Sequence, residues 1–266
     1  MSKLIWDAVG QREYETGVDH GILWVQDDGE YGDGVAWNGI TGVTESPSGA
    51  EANAIWADNI KYLNLYSAEE YGLTIEAYSF PDEFKECNGM ASLSEGVNIG
   101  QQARKVFAFA YRTRIGTDLD ESFGEKLHIA YGCRAGTTEV SHSTVNDSPE
   151  AAQFSWEVTT TPVPVEGFRP TSNIEIDSTM VDKAKYKQLI SMIEGEEDTY
   201  TVLSTEPEDW ATNYTSYYTK NAAGDYIAVT GDSAPTFAAD TYYSKTVGAG
   251  SKLPTIDFIK KLFAAG

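Results

Sequence analysis

The sequence is poor in cysteine, histidine and positive charge, and each shortage removes a class of function. Its 266 residues include two cysteines, Cys87 and Cys133. A disulfide framework needs more, so both are expected to be reduced thiols of a cytosolic product. The three histidines, His20, His128 and His142, are scattered. None neighbours another histidine or a cysteine at ligand spacing, which leaves no zinc site in view. His128 falls on a strand face and reads as a packed or hydrogen-bonded side chain. Lys and Arg total 19 against 41 Asp and Glu, for a formal net charge of −22. A nucleic-acid grip needs a basic surface that displaces counterions, so tight DNA binding is not expected. An anionic membrane surface is disfavoured by the same repulsion. No apolar run approaches the length of a membrane span, and no charged-then-apolar leader follows Met1. A soluble chain without an export signal is therefore expected, and the sequons at Asn146 and Asn213 carry little weight.

Catalytic signatures are missing as well. The patterns H-E-x-x-H, G-x-S-x-G and the P-loop are absent, and "GAGSK" (248–252) lacks the P-loop spacing. The acidic stretch "DDGEYGDG" (27–34) has the look of a calcium loop, but Asn38 stands where an EF-hand needs its twelfth-position acid. It reads as a polar turn. Acids near aromatics keep a paired-carboxylate glycosidase conceivable, yet no pattern selects two of them. No enzyme activity, cofactor or metal is expected.

What the chain has is aromatic, strand-forming sequence. Hydrophobic residues make up 41%, with 16 Tyr and 6 Trp, enough for one sizeable core or a domain with an annex. Strands are expected at "GILWVQ" (21–26), "GVAWNGITGVTES" (34–46), "KLHIAYGCR", "AAQFSWEVTTTP" and "SNIEI". "RKVFAFAYRTRIG" (104–116) is ambiguous, because Ala108 and Ala110 suit a helix. The alternation of Phe107, Phe109 and Tyr111 tips it to strand. "PDEFKECNGMASLSEG" reads mostly as loop. The clearest helix is "TMVDKAKYKQLISMIEG", capped by Asp177 or Ser178 and stopped at Gly195. The tail "LPTIDFIKKLFAAG" carries Ile256, Ile259, Leu262 and Phe263 at helical spacing and needs something to dock on. The fold class expected is mainly β, an antiparallel sandwich or barrel with one flanking helix.

Residues 196–250 differ in texture. "WATNYTSYYTK" (210–220) is echoed by "FAADTYYSK" (237–245), with a period of 25 residues from Lys220 to Lys245. A small inserted β-hairpin module is expected there. Three segments result: 1–195 as the main domain, 196–250 as the module, and 251–266 as a C-terminal arm returning to the main domain. The aromatics Trp210, Tyr217, Tyr218, Phe237, Tyr242 and Tyr243 are candidates for surface recognition of a sugar or receptor. The favoured reading is instead that they bury one another as a miniature core.

The stretch "NIKYLNLYSAEEYGLTIEAY" (59–78) stands apart. It reads as strand, turn and strand, with "SAEEYG" as the turn. A half-buried strand is apolar on one face only. Here Ile60, Tyr62 and Tyr66 share one face of the first arm, and Leu63 and Leu65 occupy the other. An arm that is apolar on both faces calls for two coverings.

Several phrases resemble the major tail tube proteins of long-tailed phages with non-contractile tails. They are "YETGVDHGILW", "GVAWNGITGVTESPSGAEANAIWADNIKYLNLYSAEE", "IEAYSFPDEF", "IGQQARKVFAFAYRTRIG" and "TVNDSPEAAQFSWEVTTTPV". The resemblance runs from residue 14 to about 163 and on through the helix to Gly195. Residues 196–250 depart from it and resemble the extra surface domains that some tail proteins carry. The resemblance implies a β-sandwich or barrel with a flanking helix, assembling into rings, usually of six, that stack into a hollow tube. It implies a long hairpin or loop and terminal arms that bridge rings. Implied partners are other copies of the chain, a tape measure protein in the lumen, tail terminator and distal tail proteins, and DNA in transit. The location implied is the virion tail, assembled in the host cytoplasm without membrane insertion. No cofactor and no catalytic residue belongs to that family.

The residue pattern and the resemblance together select Trp56, Ile60, Tyr62, Leu63, Leu65 and Tyr66 as candidate subunit-interface residues. Ile256, Phe258, Ile259, Leu262 and Phe263 join them in the terminal arm. Alternatives are another virion part, such as a capsid decoration protein or tail terminator, and a sugar-binding or sugar-cleaving β-sandwich.

Overall fold

Strand alternation builds the larger of two units. The computed structural model describes residues 6–142, 144 and 151–264, so the sequon at Asn146 lies outside the described residues. One unit comprises Met1–Glu194 and Ser251–Gly266, the other Gly195–Gly250. In the first, β1 (Glu13–Asp27) is followed by the short β2 (Glu30–Tyr31), β3 (Val35–Trp37) and β4 (Ile40–Glu45). The pieces β5 (Ser48–Gly49), β6 (Ala52–Ala57), β7 (Ile60–Tyr66) and β8 (Glu69–Glu70) lead to β9 (Gly72–Ala77). Next come a helical turn α1 (Phe84–Cys87) and a hairpin of β10 (Ala91–Ser94) and β11 (Val97–Ile99), where loop was expected. The strands β12 (Phe107–Thr117), β13 (Gly124–Ala135), β14 (Phe154–Thr160) and β15 (Asn173–Asp177) complete the sheet, and α2 (Lys183–Glu194) follows. The main sheet runs β2-β1-β12-β13-β14-β9-β4, with β3 beside β1 and β15 beside β13. Every strand pair is antiparallel. The fold is mainly β, as expected, and the path of paired strands does not close into a barrel.

Each face of this sheet has its own core. On one face Phe107, Phe109 and Tyr111 of β12 join Leu23, Trp37, Ile75, Phe84 and Trp156. The rings of Phe84 and Trp156 meet edge-on at 5.1 Å, a favourable quadrupole geometry. On the other face lie Ala108 and Ala110, with Trp24, Leu127, Ile129, Tyr186, Leu189 and Ile193. The alanines that made β12 ambiguous are thus the small residues that let α2 approach the sheet. Gly132 bulges β13 with φ +61, and a Cβ there would meet the Thr161 carbonyl oxygen at 2.3 Å, so no other residue fits without backbone movement.

The helix α2 begins later than expected. Its cap is Asp182, whose Oδ1 accepts from the backbone N–H groups of Ala184 and Lys185, both at 3.0 Å. Asp177 instead accepts from the Thr179 N–H at 2.8 Å, closing a turn before the helix, while Ser178 Oγ accepts from the Glu125 N–H on β13. Both residues first named as caps serve the strand-to-helix connection. Gly195, at φ +82, ends the helix as expected.

The second unit is more than a hairpin. It has a four-stranded sheet in the order β16 (Thr199–Val202), β19 (Tyr242–Thr246), β17 (Tyr217–Lys220), β18 (Tyr226–Ala228), and a short helix α3 (Trp210–Asn213). The two copies of the sequence echo, β17 and β19, are antiparallel neighbours with Tyr218 opposite Tyr243. Back in the first unit, α4 (Ile256–Ala264) buries Ile256 and Ile259 in the same core as α2.

Candidate subunit interface

The pairing of residues 40–77 reveals a longer feature than strand periodicity suggested. β4 pairs β9, β5 pairs β8, and β6 pairs β7. Glu45 faces Leu73, Ser48 faces Glu70, Ala52 faces Tyr66 and Ile55 faces Leu63. These are successive rungs of one register, so the segment is a single long hairpin rooted in the main sheet. Its tip is Asp58–Asn59, with φ +52 and +62, the backbone of a two-residue type I′ turn. This corrects the expected hairpin of 59–78. β7 pairs the preceding β6, not β9, and "SAEEYG" holds a strand rung instead of the turn. The Asp-Asn pair was the missed signal, since these residues tolerate a left-handed backbone better than most.

The root and the arm of this hairpin have different surroundings. At the root, Leu73, Ile75 and Ala77 are buried. Beyond it, no described residue of the larger unit buries the large apolar side chains of β6 and β7. Trp56, Ile60, Tyr62 and Tyr66 each expose between 63% and 68% of their surface, and Leu65 53%. Ile55, which strand periodicity did not select, is also exposed and pairs Leu63 on the leucine face. A bulge between Ile55 and Trp56 leaves Tyr62 without a rung partner, because Leu63 faces Ile55 and Lys61 faces Trp56. A two-stranded ribbon in water is marginal, so both faces of this arm lack the burial that would hold it.

The terminal candidates behave differently. Ile256 and Ile259 are buried against α2 and the sheet, and Leu262 and Phe263 pack on the same core. These four belong to the subunit's own interior instead of a free arm, because the apolar stripe of α4 found its docking face on its own chain. Phe258 remains exposed.

Within the second unit the aromatic candidates divide. Trp210 and Tyr242 are buried, with Tyr217 and Phe237 packed on them, and the Trp210 indole donates to the Pro235 carbonyl at 2.9 Å. Tyr218 and Tyr243 lie on the opposite sheet face. Tyr200 and Tyr226, which the sequence echo did not mark, join them there. The Tyr200 and Tyr226 rings stack at 3.9 Å, with Tyr218 and Tyr243 edge-on to them. Lys220 and Lys245 lie over the rings of Tyr226 and Tyr218.

The titratable groups are structural in their geometry. His128 stacks on Tyr111 at 4.6 Å and faces the carboxylates of Glu15, Glu45 and Glu175. Burial works to raise the Glu15 carboxyl, but hydrogen bonds from Thr113 and Lys126 with nearby positive charge outweigh it and hold it below its ordinary value. Asp19 follows the same pattern: burial opposes, and His20, Arg114 and Arg112 together lower it. Burial pushes the Cys87 thiol up to about 12 and raises Cys133 further, which makes both poor nucleophiles. The acidic 27–34 stretch turns at Asp28–Gly29 between β1 and β2. Among the described residues no group of three or more His, Cys, Asp or Glu could hold a metal ion, and no helix is long and apolar enough to cross a membrane.

No protein-family model matches the sequence, and no curated protein matches it. Among solved structures, the chain is similar to one in the cryo-EM structure of the anti-feeding prophage (AFP) baseplate, 6-fold symmetrised. The TM-score is 0.30 at 10% identity, over 66% of this chain and 97% of that chain. At that distance no role passes from one chain to the other.

Proposed function

We propose that this chain is a non-enzymatic virion subunit that assembles with copies of itself into stacked rings forming a tail tube. The observation that carries the reading is the projecting hairpin with apolar side chains on both faces. Its seven exposed large side chains offer on the order of 700 Å² of apolar surface. That is comparable with the ~800 Å² per partner of a standard interface. A monomer that left this much grease in water would be prone to associate. One face can meet a neighbour in the same ring and the other a neighbour in the next.

The charge fits a conduit. A wall lined by a chain of net charge −22 repels DNA and offers it no sticking points. Screening limits the field to ~10 Å, a distance that still counts inside a narrow channel. A tape measure protein in the lumen, terminator and distal tail proteins at the ends, and DNA in transit are the partners this reading requires.

A second reading, sugar binding, draws on Tyr218, Tyr243, Tyr200 and Tyr226 in the second unit. Their rings stack on one another, which covers ring faces that a sugar would use. Self-assembly is therefore preferred. Electron microscopy of the purified full-length protein tests it. Long tubes are expected; isolated rings would point to a terminator, and dispersed monomers that bind on a glycan array would favour the sugar reading.

A further inference from the structure

The arm is one half of a contact, and the same unit holds a groove of the matching chemistry. The groove has a volume of about 1180 Å³ and lies at the arm's root, where Pro47, Ala68 and Tyr71 form one wall. Its apolar floor includes Val165, Phe168, Ile174, Met180 and Phe263. Phe168 and Met180 are 71% and 83% exposed, so no described residue fills this floor. None of residues 52–66 lines it. The turn Asp58–Asn59 lies ten residues beyond Ser48, and at ~3.4 Å per residue a paired ribbon holds the tip ~34 Å from its root. An arm cannot fill its own groove without breaking the rungs that define it.

We infer that the groove is a socket for the arm of a second copy, making a one-way, head-to-tail contact; this rests on the self-assembly reading above. Two observations select that occupant over an unrelated protein. The exposed apolar area of the arm approaches what a standard interface buries on one partner. The charges also complement. Arg169 and Lys260 at the socket have no carboxylate partner among the described residues, and Lys260 is held over the Phe168 ring at 5.1 Å by a bond to the Glu166 carbonyl. On the arm, Glu51 and Asp58 likewise form no ion pair among the described residues. Of the four acids lining the socket, Glu45 accepts from Tyr111, Glu175 pairs with Lys126 and Asp177 accepts from Thr179, while Glu69 forms no ion pair among the described residues. A patch that meets a different patch makes a heterologous interface. Such contacts close into a ring or continue as a helix, and they do not stop at a dimer.

The test uses the full-length chain and two variants whose changes are largely solvent-exposed. The socket variant is Phe168→Asp with Met180→Asp, and the arm variant is Tyr62→Asp with Leu65→Asp. Thermal melting first confirms that each folds like the wild type. Sedimentation velocity then compares the concentrations at which assembly begins. We expect wild type to assemble, each variant alone to need at least a ten-fold higher concentration, and an equimolar mixture to form dimers without longer species. In those dimers the intact arm of one variant fills the intact socket of the other. A socket variant that assembles like the wild type, beside an arm variant that does not, overturns the socket while leaving self-assembly standing, and would mean that the groove serves another partner. A mixture without dimers also overturns the socket. Wild type that stays monomeric overturns both readings.

Discussion

Two strands of one hairpin, β9 with three apolar residues of six and β7 with five of seven, meet opposite fates. In β9 the apolar residues alternate, so Leu73, Ile75 and Ala77 enter the core while Thr74 and Glu76 turn away. In β7 they do not alternate, and Ile60, Tyr62, Leu63, Leu65 and Tyr66 all remain exposed. β9 is flanked by β4 and β14 and belongs to a large sheet. β7 has a single neighbour, β6. The difference shows what alternation reports. Period-two patterning marks β9 as a strand with one buried face, whereas apolar residues on both faces mark either a central strand such as β12, buried between two cores of its own chain, or an arm such as β7, which no described residue covers.

The sharpest break of this comparison is Tyr62→Asp with Leu65→Asp. We expect assembly to need at least a ten-fold higher concentration, while the melting free energy of the subunit changes by no more than ~0.5 kcal/mol, as for other exposed positions. Electron microscopy and thermal denaturation on the same preparation read both effects. The reciprocal change, Ile75→Ala in the root, is expected to cost about 3 kcal/mol of unfolding free energy by opening a cavity in the core. Urea denaturation measures it, and assembly should persist wherever the subunit remains folded.

Ionic pairing at the edge of the sheet comes next. Asp19 bonds Arg114 at 3.0 Å and His20 at 2.8 Å, which holds its folded-state carboxyl below the ordinary value of 3.8 despite burial. A depressed pKa contributes stability above the unfolded value and loses it as pH falls through the folded one. Asp19→Asn should therefore cost about 1 kcal/mol at neutral pH. The gap to the wild type should close as pH drops below 3.8 toward the folded-state value. Denaturation curves at a series of pH values check the sign. The smallest effect on assembly is expected at the arm tip, where Asn59→Ala places a less tolerant side chain at φ +62, at a cost of about 1 kcal/mol to the turn. It should slow assembly without abolishing it, as light scattering would show.

Much of the larger unit is legible in the sequence because its strands obey alternation. Phe107, Phe109 and Tyr111 point one way and Ala108 and Ala110 the other, and the pattern outweighs the helical appearance of the alanines. The start of α2 was misjudged because three possible caps, Asp177, Ser178 and Asp182, compete within six residues. Only tertiary bonds from β13 and the local turn occupy the first two. The arm was legible as a surplus but not as a shape. Register depends on which strands meet, and the pairing of residues as distant as Ser48 and Glu70 leaves no local mark beyond the turn that Asp58 and Asn59 close. The terminal helix advertised an apolar stripe without saying whose surface it covers. The socket escaped because Phe168 and Met180 lie in irregular segments that no periodicity marks.

The most direct measurement is sedimentation velocity of the full-length protein across a wide concentration range, read with solvent labelling of Trp56 and Tyr62. We expect growing assemblies in which both side chains become protected as association proceeds. A particle that remains a compact monomer at the highest concentration, with Trp56 and Tyr62 already shielded, would contradict the assignment of this arm as a docking surface.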